Sequence, residues 1–201
     1  MRQLRNRKVL IAGGFAAVLV SLAAAGLGSA NADLLPGFGQ GANTAAAGTS
    51  MNATARAALR DAARSLADAS DAAMEAGQNV ERACDDADTQ AGQNAAVAGE
   101  QAASTGMAAR ATARQLLAAT RNGGSSNLMA DAEAAFAAAQ NAMQEARAAV
   151  ADAQAAVAAN PNASRGSARM LNGAVEDLDE GAADMASART SIANAQTLSG
   201  N

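Results

Sequence analysis

The chain has 201 residues and a formal net charge of −4, and it contains no His, Trp or Tyr. Half of it is nominally hydrophobic, but 63 residues are Ala, and only three Phe, eight Met and one Cys stand beside them. Without His, the commonest general base, metal ligand and pH switch is missing, which removes most catalytic and metal-centre chemistries at once.

Residues 1–32 have the three parts of a secretory signal peptide. Arg2, Arg5, Arg7 and Lys8 form a basic start, Val9 to Leu27 is an apolar run, and Ala30 and Ala32 occupy the −3 and −1 positions of a cleavage site. Cleavage is expected after Ala32. With no Arg-Arg pair, the general secretory route fits better than the twin-arginine route. The alternative is an uncleaved anchor, which would be the chain's one contact with a membrane. Export places the protein outside the cytoplasm, either secreted or in a cell envelope. Removal of the leader leaves eleven Arg, no Lys and nineteen acids, a net charge of −8. That balance argues against nucleic acid and against anionic lipid surfaces, both of which demand basic faces. The single Cys84 cannot form an intramolecular disulfide; it is either a small, partly buried helical residue or the donor of an intermolecular bridge.

Asp33 to Thr49 carries Pro36 and four Gly and reads as a flexible tether without periodicity. Leu34, Leu35 and Phe38 are its only large apolar side chains.

From Ser50 to Leu198 the pattern is helical and repeats every seven residues. Leu59, Leu66, Ala73 and Val80 form one a row, with Ala62, Ala69, Ala76 and Ala83 at d. Arg60, Asp61, Arg64, Asp68, Asp71, Glu75, Glu81 and Arg82 then fall at b, c or f, the solvent positions. Gly92, Gly99, Gly106 and Ala113 form a second row, followed three residues later by Ala95, Ala102, Ala109 and Leu116. So small a seam lets a neighbouring backbone approach closely, although each Gly costs about 1 kcal/mol of helix propensity. In this register Val97 and Met107 face outward. The third row is Met129, Phe136, Met143, Val150 and Val157 over Ala132, Ala139, Ala146 and Ala153. The fourth is Leu171, Leu178, Met185 and Ile192 over Ala174, Gly181, Ala188 and Ala195.

Breaks are expected at 85–89, where three Asp oppose the helix dipole and Asp88 or Thr89 can cap a new helix. Others are expected at the Gly-Gly-Ser-Ser run 123–126 and at Asn160-Pro161-Asn162, where Pro161 suits a first helical position. The resulting segments, 50–84, 89–121, 127–159 and 163–198, are each about 50 Å long. The expected fold is all-α: an antiparallel up-down four-helix bundle of long Ala-rich heptad helices over 50–198, with a tail at 199–201. Net charges of +2 on the second segment and −3 on the third suit neighbouring helices. The alternative is a long-helix coiled coil in which 50–121 is continuous. Ala seams bury little area, so a marginal monomer or self-association through those seams is expected.

No constellation carries recognisable chemistry. Read as an EF-hand loop from Asp86, the cluster Asp85, Asp86, Asp88 has Ala91 where Gly is needed and Val97 where the bidentate Glu belongs. Glu176, Asp177, Asp179 and Glu180 read as a solvated helix face. Di-iron sites and haem attachment need His, and activated nucleophiles need a His or Lys base. The Gly-rich run at 121–126 lacks the spacing and the Lys of a phosphate loop. No catalytic, cofactor-binding or metal residue is therefore assigned, and no cofactor is expected. In composition the chain resembles the small coiled-coil lipoproteins of the bacterial envelope. Their lipid-modified Cys and C-terminal Lys have no counterpart here, where the last residues are Thr197-Leu198-Ser199-Gly200-Asn201.

The leading expectation is an exported, non-enzymatic structural or interaction protein, a spacer or adaptor of a bacterial cell envelope. Its partner would be another protein, or a second copy, held through the Ala/Gly seams. One alternative is a carrier holding a small apolar ligand near Phe136, Met129 and Met143, whose flexible thioethers suit irregular ligands. Another is an amphipathic lipid-surface binder, although the stripes are narrow and flanked by acids.

Overall fold

In the computed structural model, residues 51–85, 87–122 and 127–199 are described. The expected signal peptide (1–32), the expected tether (33–49), Ser50, Asp86, residues 123–126 and residues 200–201 lie outside them. The described residues form four helices: α1 (Ala53–Cys84), α2 (Gln90–Asn122), α3 (Leu128–Ala159) and α4 (Arg165–Ser199). All four belong to one unit of the chain, 44–201. None is long and apolar enough to cross a membrane.

Local chemistry sets the ends. Asn52 caps α1 by accepting the Ala55 N–H at 2.7 Å, so the helix begins three residues later than the pattern suggests. Its amide also donates to the Leu198 carbonyl at 2.8 Å, tying the first turn of α1 to the last of α4. The break after Cys84 is real, which overturns the continuous 50–121 rod. The Ala87 N–H turns back to the Cys84 carbonyl, and Thr89 Oγ1 accepts the Gly92 N–H at 3.1 Å to open α2. Asn160 is extended (φ −96°, ψ 107°), as the residue before a proline must be. Pro161, however, sits in a turn and not at a first helical position. Asn160 Oδ1 holds the Asn162 N–H, and the cap of α4 is Ser164, whose Oγ accepts the Ser167 N–H at 3.0 Å.

The helices are antiparallel in sequence order. Along α1 and α2, Asp71 meets Arg110, Met74 meets Gly106 and Gly77 meets Ala103. Along α1 and α4, Asn52 meets Leu198, Ala72 meets Gly181 and Asn79 meets Asp177. In each pair one number rises as the other falls. This is the expected four-helix bundle, but its cross-section is skewed. α1 and α3 touch across the diagonal, whereas no Cα of α2 lies within 8 Å of one in α4.

The skew accounts for which rows are buried. Every d residue of the four sequence rows is buried, and so are all the a residues of α1 and α2. α2 and α4 each have two neighbours, and two rows nearly suffice. α1 and α3 each have three, and each buries a third row of small residues. On α1 this row is Ala63, Ser70, Gly77 and Cys84; on α3 it is Ala135, Ala142, Ala149 and Ala156. Ser70 enters the core at no cost in unpaired polarity, since its hydroxyl donates to the Leu66 carbonyl at 2.6 Å. Those rows are thus covered by the chain's own helices, whereas Met129, Phe136 and Val157 of α3 and Met185 of α4 stay partly exposed.

Glycine makes the α1–α2 contact. A Cβ placed on Gly77 would stand 2.6 Å from both the Gly99 carbonyl oxygen and the Ala103 nitrogen. One on Gly99 would stand 2.7 Å from the Gly77 oxygen, and one on Gly106 2.8 Å from the Met74 nitrogen. Only backbone without side chains can approach this closely. Val97 and Met107 face outward from α2, 63% and 54% exposed, as the heptad register predicts.

Candidate functional site

The acidic clusters do not converge on anything. Asp85 and Asp88 are exposed, and among the described residues no group of three or more His, Cys, Asp or Glu could hold a metal ion. Glu176, Asp179 and Glu180 are exposed on α4, whereas Asp177 turns toward α1 and accepts a hydrogen bond from Asn79 at 3.2 Å. Burial, with Glu180 and Glu176 nearby, raises the Asp177 carboxyl above its ordinary value despite that bond. Asp184, one heptad on, is also raised by burial, with Asp68 and Glu180 adding to the effect.

One charge assigned to solvent is not there. Asp71 is half-buried between α1 and α2, 2.9 Å from Nε of Arg110. Burial raises its carboxyl, and Arg110 and Arg114 only partly offset that. Position f of α1 lies against α2 because the glycine seam draws the two helices so close. Cys84 is 2% exposed at the end of α1, and burial raises its thiol. A bridge to another chain would require opening that end of the bundle, so the structure favours the small buried residue over the intermolecular disulfide.

Two of the hollows among the described residues have the size of small-ligand sites. One, of about 330 Å³, lies at the 85–89 and 160–164 turns, between Arg82, Cys84, Gly92, Val157 and Met170. The other, of about 310 Å³, runs between α3 and α4. Its floor is Phe136, Met143 and Met185, and its exposed edges carry Gln140, Gln144, Arg147 and Arg189. Met143 is 3% exposed, and its thioether fits against Gly181, where a Cβ would stand 2.9 Å from the methionine methyl. Both volumes are at the lower end of the range of ligand pockets.

Of the residues expected around a carried ligand, the structure brings Phe136 and Met143 together. Met129 is not among the groove's lining and packs in the apolar cluster with Leu59, Leu66 and Leu128. Met185, Arg147 and Arg189 were not singled out from the sequence. A signal for them exists: Met143-Gln-Glu-Ala-Arg147 and Met185-Ala-Ser-Ala-Arg189 repeat one pattern on two facing helices. Each Arg follows its Met by one turn, and the helices run in opposite directions, so the guanidinium-bearing residues flank the methionine pair at opposite ends. Arg147 accordingly also borders a second hollow of about 220 Å³ with Val150, Val175 and Leu178, while Arg189 does not. Among the described residues neither Arg makes an ion pair.

Comparison with protein-family models, with curated proteins and with solved structures finds no match to this chain.

Proposed function

We propose that the chain is an exported, non-enzymatic helical bundle that acts by binding, as a spacer or adaptor of a bacterial cell envelope. The leader pattern of residues 1–32 supports export, and the lack of His and of any base–nucleophile pair supports a role without catalysis. The observation that carries the reading is the closure of the bundle on itself. With every d row and the a rows of α1 and α2 filled internally, the four helices, each about 50 Å long, cover those rows without a second chain. Self-association through the Ala/Gly seams would then need exchange of a helix between chains. Chemical cross-linking in the envelope of the producing cell, followed by mass spectrometry, tests this. The expected result is an exported protein beginning at Asp33 and joined through outward-facing residues to one protein partner. A product retaining residues 1–32 in the cytoplasm would overturn it.

A second reading, a carrier of a small apolar ligand, is favoured by the Phe136–Met143–Met185 groove. Native mass spectrometry separates the two, because an adaptor retains a protein and a carrier retains a small molecule. A lipid-surface role finds less support, since Val97, Met107 and Val175, the large apolar residues exposed among the described ones, lie on two helices that do not touch, α2 and α4. Co-sedimentation with neutral and anionic liposomes tests that directly.

A further inference from the structure

We infer that the α3–α4 groove is a binding site for an aliphatic chain bearing an anionic group, of the fatty-acid type. The inference rests on the reading of the chain as a binding protein and deepens its carrier form. Three observations converge. Phe136, Met143 and Met185 give the groove an apolar floor, and Met is the side chain that adapts best to a flexible chain. None of its lining residues is acidic, in a mature chain with a net charge of −8. Its edges instead carry two guanidiniums, Arg147 and Arg189, with no carboxylate partner among the described residues, and a guanidinium pairs with a carboxylate through two parallel hydrogen bonds. The chemistry of the occupant follows from that combination: methylenes for the methionine floor, and an anion for an Arg at the end. Because the two Met–Arg units run in opposite directions, the groove offers a guanidinium at either end, and a chain can lie in it in either direction with its head group paired.

Titration calorimetry on the secreted full-length chain tests this with dodecanoate, dodecanol and dodecyltrimethylammonium, each below its micelle concentration. Dodecanoate is expected to bind one per chain, about tenfold or more tighter than the other two, the worth of a hydrogen bond to a charged group. The either-way geometry makes a further distinction. Arg147→Gln or Arg189→Gln alone costs about twofold in dodecanoate affinity, whereas the double variant abolishes the preference for dodecanoate over dodecanol. Ala186→Phe, an exposed position on the groove wall, blocks all binding while leaving the thermal melt unchanged. Equal binding of the anionic and cationic chains, no saturable binding of dodecanoate, or an undiminished preference in the double variant would each overturn the inference. None of those results touches the adaptor reading, which stands or falls on the cross-linked partner.

Discussion

The α1–α2 and α3–α4 pairs are built on the same seven-residue spacing, yet they pack in opposite ways. Where α1 meets α2, the facing positions are Gly77, Gly99, Ala103 and Gly106, and backbone lies against backbone. Where α3 meets α4, they include Phe136, Met143 and Met185, and the helices stand far enough apart to leave hollows between them. Periodicity decides which edge of a helix is covered, and the size of the residue on that edge decides how close the cover comes. The tight pair secures the fold; the loose pair leaves an apolar groove with cationic edges.

The largest effect is expected from wedging the tight side open. Gly99→Val puts carbon into space held by the Gly77 carbonyl, the Val80 side chain and the Glu81 nitrogen, two of them backbone atoms that cannot swing away. Despite Val being the better helix former, a loss of about 3 kcal/mol or more is expected, a drop in melting temperature of about 10 °C. An unchanged melt followed by far-UV circular dichroism would mean that the two backbones do not touch. The matching change on the loose side is Met185→Ala. Met185 packs against both apolar clusters but is only partly buried, so about 1.5 kcal/mol is expected in urea unfolding, below the usual cost for a fully buried Met. If it costs as much as Gly99→Val, the two sides are equally tight. Gly173→Ala sharpens the contrast from outside the seams. Nothing but the Asn79 amide, at 4.0 Å, faces a Cβ there, so the ordinary preference of a helix for Ala should show as a gain of up to about 1 kcal/mol.

Much of this was legible in the sequence. The seven-residue rows named the buried edge of every helix, and the Asp-rich break and Asn-Pro turn named two of its corners. The glycine row 92–99–106 predicted a close backbone approach, and Val97 and Met107 were correctly placed outside. The third rows do not declare themselves in the sequence, although Ala63–Ser70–Gly77–Cys84 and Ala135–Ala142–Ala149–Ala156 keep the same spacing. A row of small residues shows that something can come close, but it does not show that α1 and α3 each have a third neighbour to fill it. Asp71 was misplaced for the same reason: position f is solvent only if no helix leans over it. The groove was half legible. Phe136 and Met143 stood out as large residues on one row, but their partners Met185, Arg147 and Arg189 become a site only when the direction of α4 against α3 is known.

The smallest expected effect separates the two flanks of α1 by charge. On the α2 flank, Asp71 has Arg110 at 2.9 Å and Arg114 beyond; on the α4 flank, Asp177 has only the Asn79 amide, and Asp184 faces Asp68 and Glu180. Burial is the leading cause at all three, and each carboxyl is raised from its ordinary 3.8. A raised acid holds its proton more tightly in the folded chain than in the unfolded one. Its stabilising contribution is complete below the ordinary value and is lost as the pH climbs through the raised one. The bundle should therefore melt slightly higher near pH 4, close to the ordinary carboxyl value, than near pH 7, against the usual acid destabilisation of salt-bridged proteins. Asp184→Asn, which removes an acid whose charged neighbours Asp68 and Glu180 are themselves acids, should raise the melting temperature at neutral pH and flatten the slope. Asp71→Asn should do less, because it also discards the attraction of Arg110. A melting temperature that falls on acidification would place these carboxylates in water, and with them the close flanks of α1 on which the skewed cross-section depends.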